Sequence, residues 1–209
     1  MFSLQKVMGR DDEFCALLEA SATEAVRSVV ALKGILLNKC DVSDLEVFQL
    51  ARRNDKDITS KIGELLNRAI VTSFEREDIE ELSQALYKIP KTVEKFAERY
   101  LIVVERARGF DFTRQLILLE EATRSVLEMV QAFRCDAGVA EIKRLDTRIQ
   151  RLESEADDVI LDLIGDLYHP EFPSLEAIII KDLIELNEKV VDRCRDASGV
   201  IARLVIKLH

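Results

Sequence analysis

The stretch EIKRLDTRIQRLESEADDVILDL, residues 141–163, places apolar side chains at Ile142, Leu145, Ile149, Leu152, Ala156, Val159 and Leu163. Spacings of three and four put all seven on one stripe of an α-helix, the pattern of a helix packed into a bundle. Within it, RLESEADD (151–158) crowds Glu153, Glu155, Asp157 and Asp158 beside a core leucine. An equivalent stretch, LARRNDKD (50–57), lies 101 residues earlier and carries Arg52 and Lys56 at the places of Glu153 and Asp157.

That offset holds well beyond one helix. Leu17-Leu18-Glu19 falls on Leu118-Leu119-Glu120, Ile62 on Leu163, Ile79 on Ile180, Leu82 on Leu183 and Tyr100 on Ile201. An ungapped register across three helices indicates an internal duplication. The expected architecture is therefore all-α, a tandem duplication of two three-helix bundles with six long helices. The first bundle spans 1–108 and the second 109–209.

Helix one is expected over 11–38. Helix two follows a Ser43 cap and runs to about Val71, and helix three follows a Ser73 cap and runs to about Arg108 with a bend at Pro90. Helix four follows R-G-F-D-F, helix five spans 138–168, and helix six starts at a Ser174 cap after the H-P-E-F-P-S loop.

Composition agrees with this class. Apolar residues make up 48% and charged residues 33%, with seven Gly and three Pro, which disfavours a turn-rich β fold. The net charge of −9 argues against nucleic acid or an anionic membrane as the main partner. No apolar run reaches the ~18 residues that suggest a membrane span. Cys15, Cys40, Cys135 and Cys194 form no C-x-x-C pair and no signal-peptide pattern precedes them, so reduced core or boundary thiols in a cytoplasm are expected.

The acids recur at one-turn spacing: Glu153 with Asp157 on helix five, and Glu188, Asp192 and Asp196 on helix six. Two readings are open. One is a solvated acidic face relieved by Arg148, Arg151, Lys189, Arg193 and Arg195. The other is a metal site at Glu153, Asp157, Glu188, Asp192 and Asp196, whose oxygen ligands suit a divalent or trivalent ion such as Mg, Ca, Mn or Fe. A ferritin-type centre is rejected, because it needs Glu-x-x-His on two helices and neither His169 nor His209 completes that motif, the nearest approach being Asp166-Leu-Tyr-His169 at a helix end.

At the offset, Glu153, Asp157, Asp162, Asp192 and Asp196 become Arg52, Lys56, Lys61, Lys91 and Lys95, and Glu188 becomes Tyr87. Drift on a solvated face would mix signs; here they change together. The first half is expected to have lost its site at Arg52, Lys56, Tyr87 and Lys91. The halves carry 17 basic and 19 acidic residues against 13 and 20, in the same direction. A competing use of Arg52, Lys56, Lys88, Lys91 and Lys95 is an anion or partner-docking patch.

The segment L-N-R-A-I-V-T-S at 66–73, followed by F-E-R-E-D-I-x-x-L at 74–82, resembles the hallmark stretch of PhoU-like proteins associated with Pit-type phosphate transporters. Ser73 stands where that family usually has Pro. The opening M-F and the K-D-L-I-E-L-N-E-K-V-V-D-R-C-R-D at 181–196 extend the resemblance over the whole chain. It implies a cytoplasmic regulatory accessory of phosphate transport whose partner is a Pit-type transporter or a phosphate-signalling protein. It also implies E/D-x-x-x-D metal clusters, one per half, with Fe, Mn, Mg, Zn or Ni as candidate ions. Glu153, Asp157, Glu188 and Asp192 match those motifs, and the first half departs from them.

No nucleophile, base and orienting group come together in the sequence, so a non-enzymatic adaptor is expected. The alternative is a metal-dependent phosphohydrolase or metal-binding helical bundle, since a bound cation can activate water. Ile178, Ile179, Ile180 and Ile184 on helix six suit either a homodimer or a core filled from two sides.

Overall fold

A computed structural model of the chain describes residues 4–37, 45–68 and 75–208. All regular structure among them is helical: α1 (Leu4–Leu37), α2 (Leu45–Arg68), α3 (Arg76–Ile102), α4 (Val104–Ala107), α5 (Thr113–Arg134), α6 (Val139–Leu167) and α7 (Ser174–Leu208). The all-α class holds. The caps expected at Ser43 and Ser73, together with Cys40 and His209, lie outside the described residues.

Three boundaries differ from the sequence expectation. α1 starts at Leu4 rather than near Asp11, because L-Q-K-V-M is built of good helix formers and continues the helix upstream. α3 runs on through Pro90 but ends at Ile102, short of Arg108. Val103 leaves helical geometry there (φ −111°, ψ 13°), and a single turn, α4, follows. The cause is tertiary. Phe112 packs edge-on against Phe96 and Tyr100, with ring centroids 5.6 and 6.2 Å apart, and Phe110 packs on Phe112 at 4.8 Å. At the last helix, the Pro173 carbonyl accepts the Ala177 N–H at 2.9 Å, so Ser174 is the first helical residue rather than its cap.

α5 turns into α6 through Asp136, whose φ of 55° is left-handed. The Ala137 N–H bonds the Ala132 carbonyl at 2.9 Å and the Asp136 N–H bonds that of Phe133 at 3.1 Å. These two bonds satisfy carbonyls that the helix end would otherwise leave open.

α1, α2 and α3 pack on one another, as do α5, α6 and α7, and the triplets meet through α1 against α5 and α3 against α7. Both seams are antiparallel. Arg134 near the end of α5 pairs with Asp12 and Glu19 near the start of α1, and Lys207 near the end of α7 pairs with Glu75 and Asp78 at the start of α3. Arg106 pairs with Glu176 at 2.8 Å, and each of these residues lies 101 positions before or after its counterpart in the Lys207–Glu75 pair.

The apolar stripe read from α6 is buried at Ile142, Leu145, Ile149, Leu152, Ala156 and Val159, and Leu163 packs against the core from its edge. On α7, Ile180 and Ile184 are core residues, Ile179 is half-buried and Ile178 is exposed. A core filled from two sides accounts for three of these four.

Candidate functional site

α6 and α7 run side by side and present the acids that the sequence singles out, but they divide them between two grooves. Asp157, Glu188 and Asp192 line one, a hollow of about 560 Å³ shared with Glu185, Lys189 and the side of Leu161. Burial pushes the Glu188 carboxyl above the usual range, and the nearby Asp192 and Asp157 carboxylates add to the effect. None of these three acids has a salt-bridge partner among the described residues. Carboxylates left in that state suit an oxygen-seeking cation in charge and donor type. Their side chains do not close on a point: among the described residues, no three His, Cys, Asp or Glu gather closely enough to hold a metal ion.

Glu153 and Asp196 face the neighbouring groove instead. Glu153 pairs with Arg195 at 3.2 Å across α6 and α7, and Asp196 pairs with Arg193 at 2.9 Å on its own helix. Other basic residues named as relief for an acidic face also have partners: Arg148 holds Glu128 at 2.9 Å and Arg151 holds Glu155 at 3.3 Å.

In the first half, the α2 and α3 surface carries the reciprocal arrangement. Arg52 forms a short ion pair with Glu94, whose side chain is only 7% exposed, and the Glu94 and Tyr87 hydrogen bonds raise the Arg52 pKa. Glu94 and Arg195 are themselves 101 residues apart. The α2–α3 pair Arg52–Glu94 therefore recurs as the α6–α7 pair Glu153–Arg195 with both signs exchanged. An ion pair depends on the product of its charges, so reversing both members keeps the attraction. Lys91 sits above the Tyr87 ring, Nζ 5.8 Å from its centroid, at the places of Asp192 and Glu188. Lys56 is exposed at the place of Asp157.

One polar feature escaped the sequence reading. Asp55 on α2 is 0% exposed, accepts the Ser21 hydroxyl from α1 at 2.5 Å through one oxygen, and has no partner for the other. Burial, with Glu24 nearby, pushes its carboxyl up to about 6. The signal was present: its counterpart, Ala156, lies on the apolar stripe of α6, so an acid at position 55 had to enter the core.

At the outer end of α6 and α7, Tyr168 and Ile178 are exposed and border a hollow of about 360 Å³ with Ile164, Leu167 and Phe172. No helix among the described residues is long and apolar enough to cross a membrane.

Fold and surface together define an all-helical bundle protein whose paired helices carry exchanged charges. The chain is 24% identical over 214 aligned positions, 97% of its own length and 97% of the relative's, to a protein of Rhizobium meliloti (strain 1021) named "Putative pit accessory protein". It is also 20% identical, over 74% of its length and 75% of the relative's, to the UPF0111 protein YkaA of Bacillus subtilis (strain 168). No family model matches the chain. These relatives bear out the resemblance to PhoU-like proteins of the Pit-accessory branch.

Proposed function

We propose that the protein is a cytoplasmic, non-catalytic accessory of a Pit-type phosphate transporter, acting by binding it through a helical surface. The observation that carries this reading is likeness over 97% of both chains to a protein named as a Pit accessory. The exposed apolar end of α6 and α7, at Tyr168 and Ile178, is the surface we assign to the contact, since apolar anchors in a pocketed patch carry most binding energy.

The test is co-purification of a Pit-type transporter from the native membrane fraction with the tagged protein, repeated with a Tyr168→Asp, Ile178→Asp variant. Capture of the transporter by the unaltered chain and its loss with the variant is the expected result. A captured fraction without transporter refutes the function, and equal capture by both refutes the surface.

A cation at Asp157, Glu188 and Asp192 belongs to the same proposal. Their uncompensated charge supports it, and the ion would supply the positive charge that Lys91 supplies at the matching place in the first half. Iron, manganese, magnesium, zinc and nickel are the candidates. Glu153 and Asp196 are assigned to their arginine partners. Metal content of the purified protein should fall in an Asp157→Ala, Asp192→Ala variant and persist in Glu153→Gln; equal content in all three removes the site.

A further inference from the structure

The α3–α7 seam carries a second groove, of about 470 Å³, whose charge is opposite to that of the molecule. Six of its ten lining residues are basic: Lys88, Lys91, Lys95 and Arg99 from α3, and Lys189 and Arg193 from α7. Only Asp182 and Glu185 oppose them, and Glu185 is held in a short contact with Lys181 outside the groove. Arg193 is engaged by Asp196 and Lys91 rests on Tyr87. Lys88, Lys95, Arg99 and Lys189 have no salt-bridge partner among the described residues. A chain of net charge −9 thus concentrates unpaired cations along about three turns of one helix, a charge density that repels itself until an anion enters.

The same seam contains an internal control. The groove lined by Glu81, Lys88, Arg195, Asp196 and Arg203 lies on the same two antiparallel helices with the roles of α3 and α7 exchanged; at the offset of 101, Lys88, Lys95 and Glu81 correspond to Lys189, Asp196 and Asp182. Apart from Lys88, which the two grooves share, its charges are matched: Arg203 holds Glu81 at 2.6 Å and Arg195 holds Glu153 at 3.2 Å, while Ser198 donates to Asp146 at 2.7 Å. One groove is neutralised from within. Its mate is not.

We propose that the groove between Lys88–Arg99 of α3 and Asp182–Arg193 of α7 binds a compact, multiply charged phosphoryl anion. The chemistry of the lining favours such a ligand over an acidic protein surface. A protein contact places apolar anchors at its centre, and apart from the buried Thr92, whose hydroxyl is given to the Lys88 carbonyl, the groove offers only the half-buried Leu186. Lysine ammonium groups and the unpaired Arg99 guanidinium fork suit clustered phosphoryl oxygens. The volume is of small-molecule size. An inorganic phosphate chain and a phosphorylated metabolite share this chemistry.

Calorimetric titration of the purified chain with tripolyphosphate and with ATP separates these sources: tighter binding of tripolyphosphate points to the chain, tighter binding of ATP to the metabolite. The expected result is one site, weakened by salt as screening requires. A Lys91→Gln, Lys95→Gln variant should bind at least about tenfold more weakly, whereas Arg203→Gln, in the neutralised groove, should stay within about twofold. Folding of each variant is checked by circular dichroism. The proposal is overturned if neither anion binds at about 1 mM, if the variants lose affinity equally, or if the stoichiometry exceeds one.

Discussion

Replacing Asp55 by asparagine should remove a pH dependence from the stability of the fold. The carboxyl is buried between α2 and α1 with one hydrogen bond, from Ser21, and one oxygen without a partner. Desolvation disfavours the charged form and raises its pKa from 3.8 to about 6 in the folded chain. A carboxyl raised on folding takes up protons in the native state. Its contribution is fully present below the unfolded value near pH 4 and is lost as pH rises through 6. At about 1.36 kcal/mol per pH unit, a shift of this size corresponds to roughly 3 kcal/mol.

Urea unfolding followed by circular dichroism at pH 4, 5, 6 and 7 measures it. The unaltered chain should lose about 2.5 kcal/mol more than Asp55→Asn between pH 4 and 7, the rest of the effect lying below pH 4, and the comparison cancels the other carboxylates. At pH 7 the variant gains the relief of charge burial but leaves amide donors unpaired at a cost of about 1–3 kcal/mol, so its net gain is at most about 2 kcal/mol. Parallel pH profiles for the two proteins would refute the assignment.

Three further outcomes follow from local geometry. Arg52→Glu should lower stability by about 1–2 kcal/mol, discounted for the exposure of Arg52, and adding Glu94→Arg should recover most of it in thermal melts; additive losses would deny that the exchanged pair matters. In a Cys40→Ser background, Cys135 should react with an aromatic disulfide reagent at once. Cys15 and Cys194 should react only on unfolding, since both are buried and burial raises the Cys194 thiol strongly; immediate labelling of Cys194 would contradict its placement. Asp136→Gly should raise the urea midpoint by the equivalent of about 0.5–1 kcal/mol, because a β-carbon is strained at its φ of 55°, and a loss would show that the Asp136 side chain supports the turn.

The start of helix six in the sequence reading, with Ser174 as its cap, and the start of α7 in the structure differ by one residue, and the stripe of α6 is buried almost as written, because three-four spacing is a local property that any neighbouring apolar surface satisfies. The end of α3 was not legible. The first glycine after Ile102 is Gly109 and no proline intervenes, so nothing local marks the stop; the Phe96, Tyr100, Phe110 and Phe112 cluster imposes it from across the turn. Asp55 was legible only by comparing it with Ala156, since an acid beside Lys56 and Asp57 otherwise looks like surface.

The sequence by itself determined the helices, the 101-residue register and the exchange of sign between Arg52 and Glu153. Only the tertiary structure decided what that exchange means, by setting Glu94 against Arg52 and Arg195 against Glu153. Helical periodicity states which residues share a face of one helix. Coulomb energy depends on the distance to charges on another helix, and that distance exists only once the helices are packed.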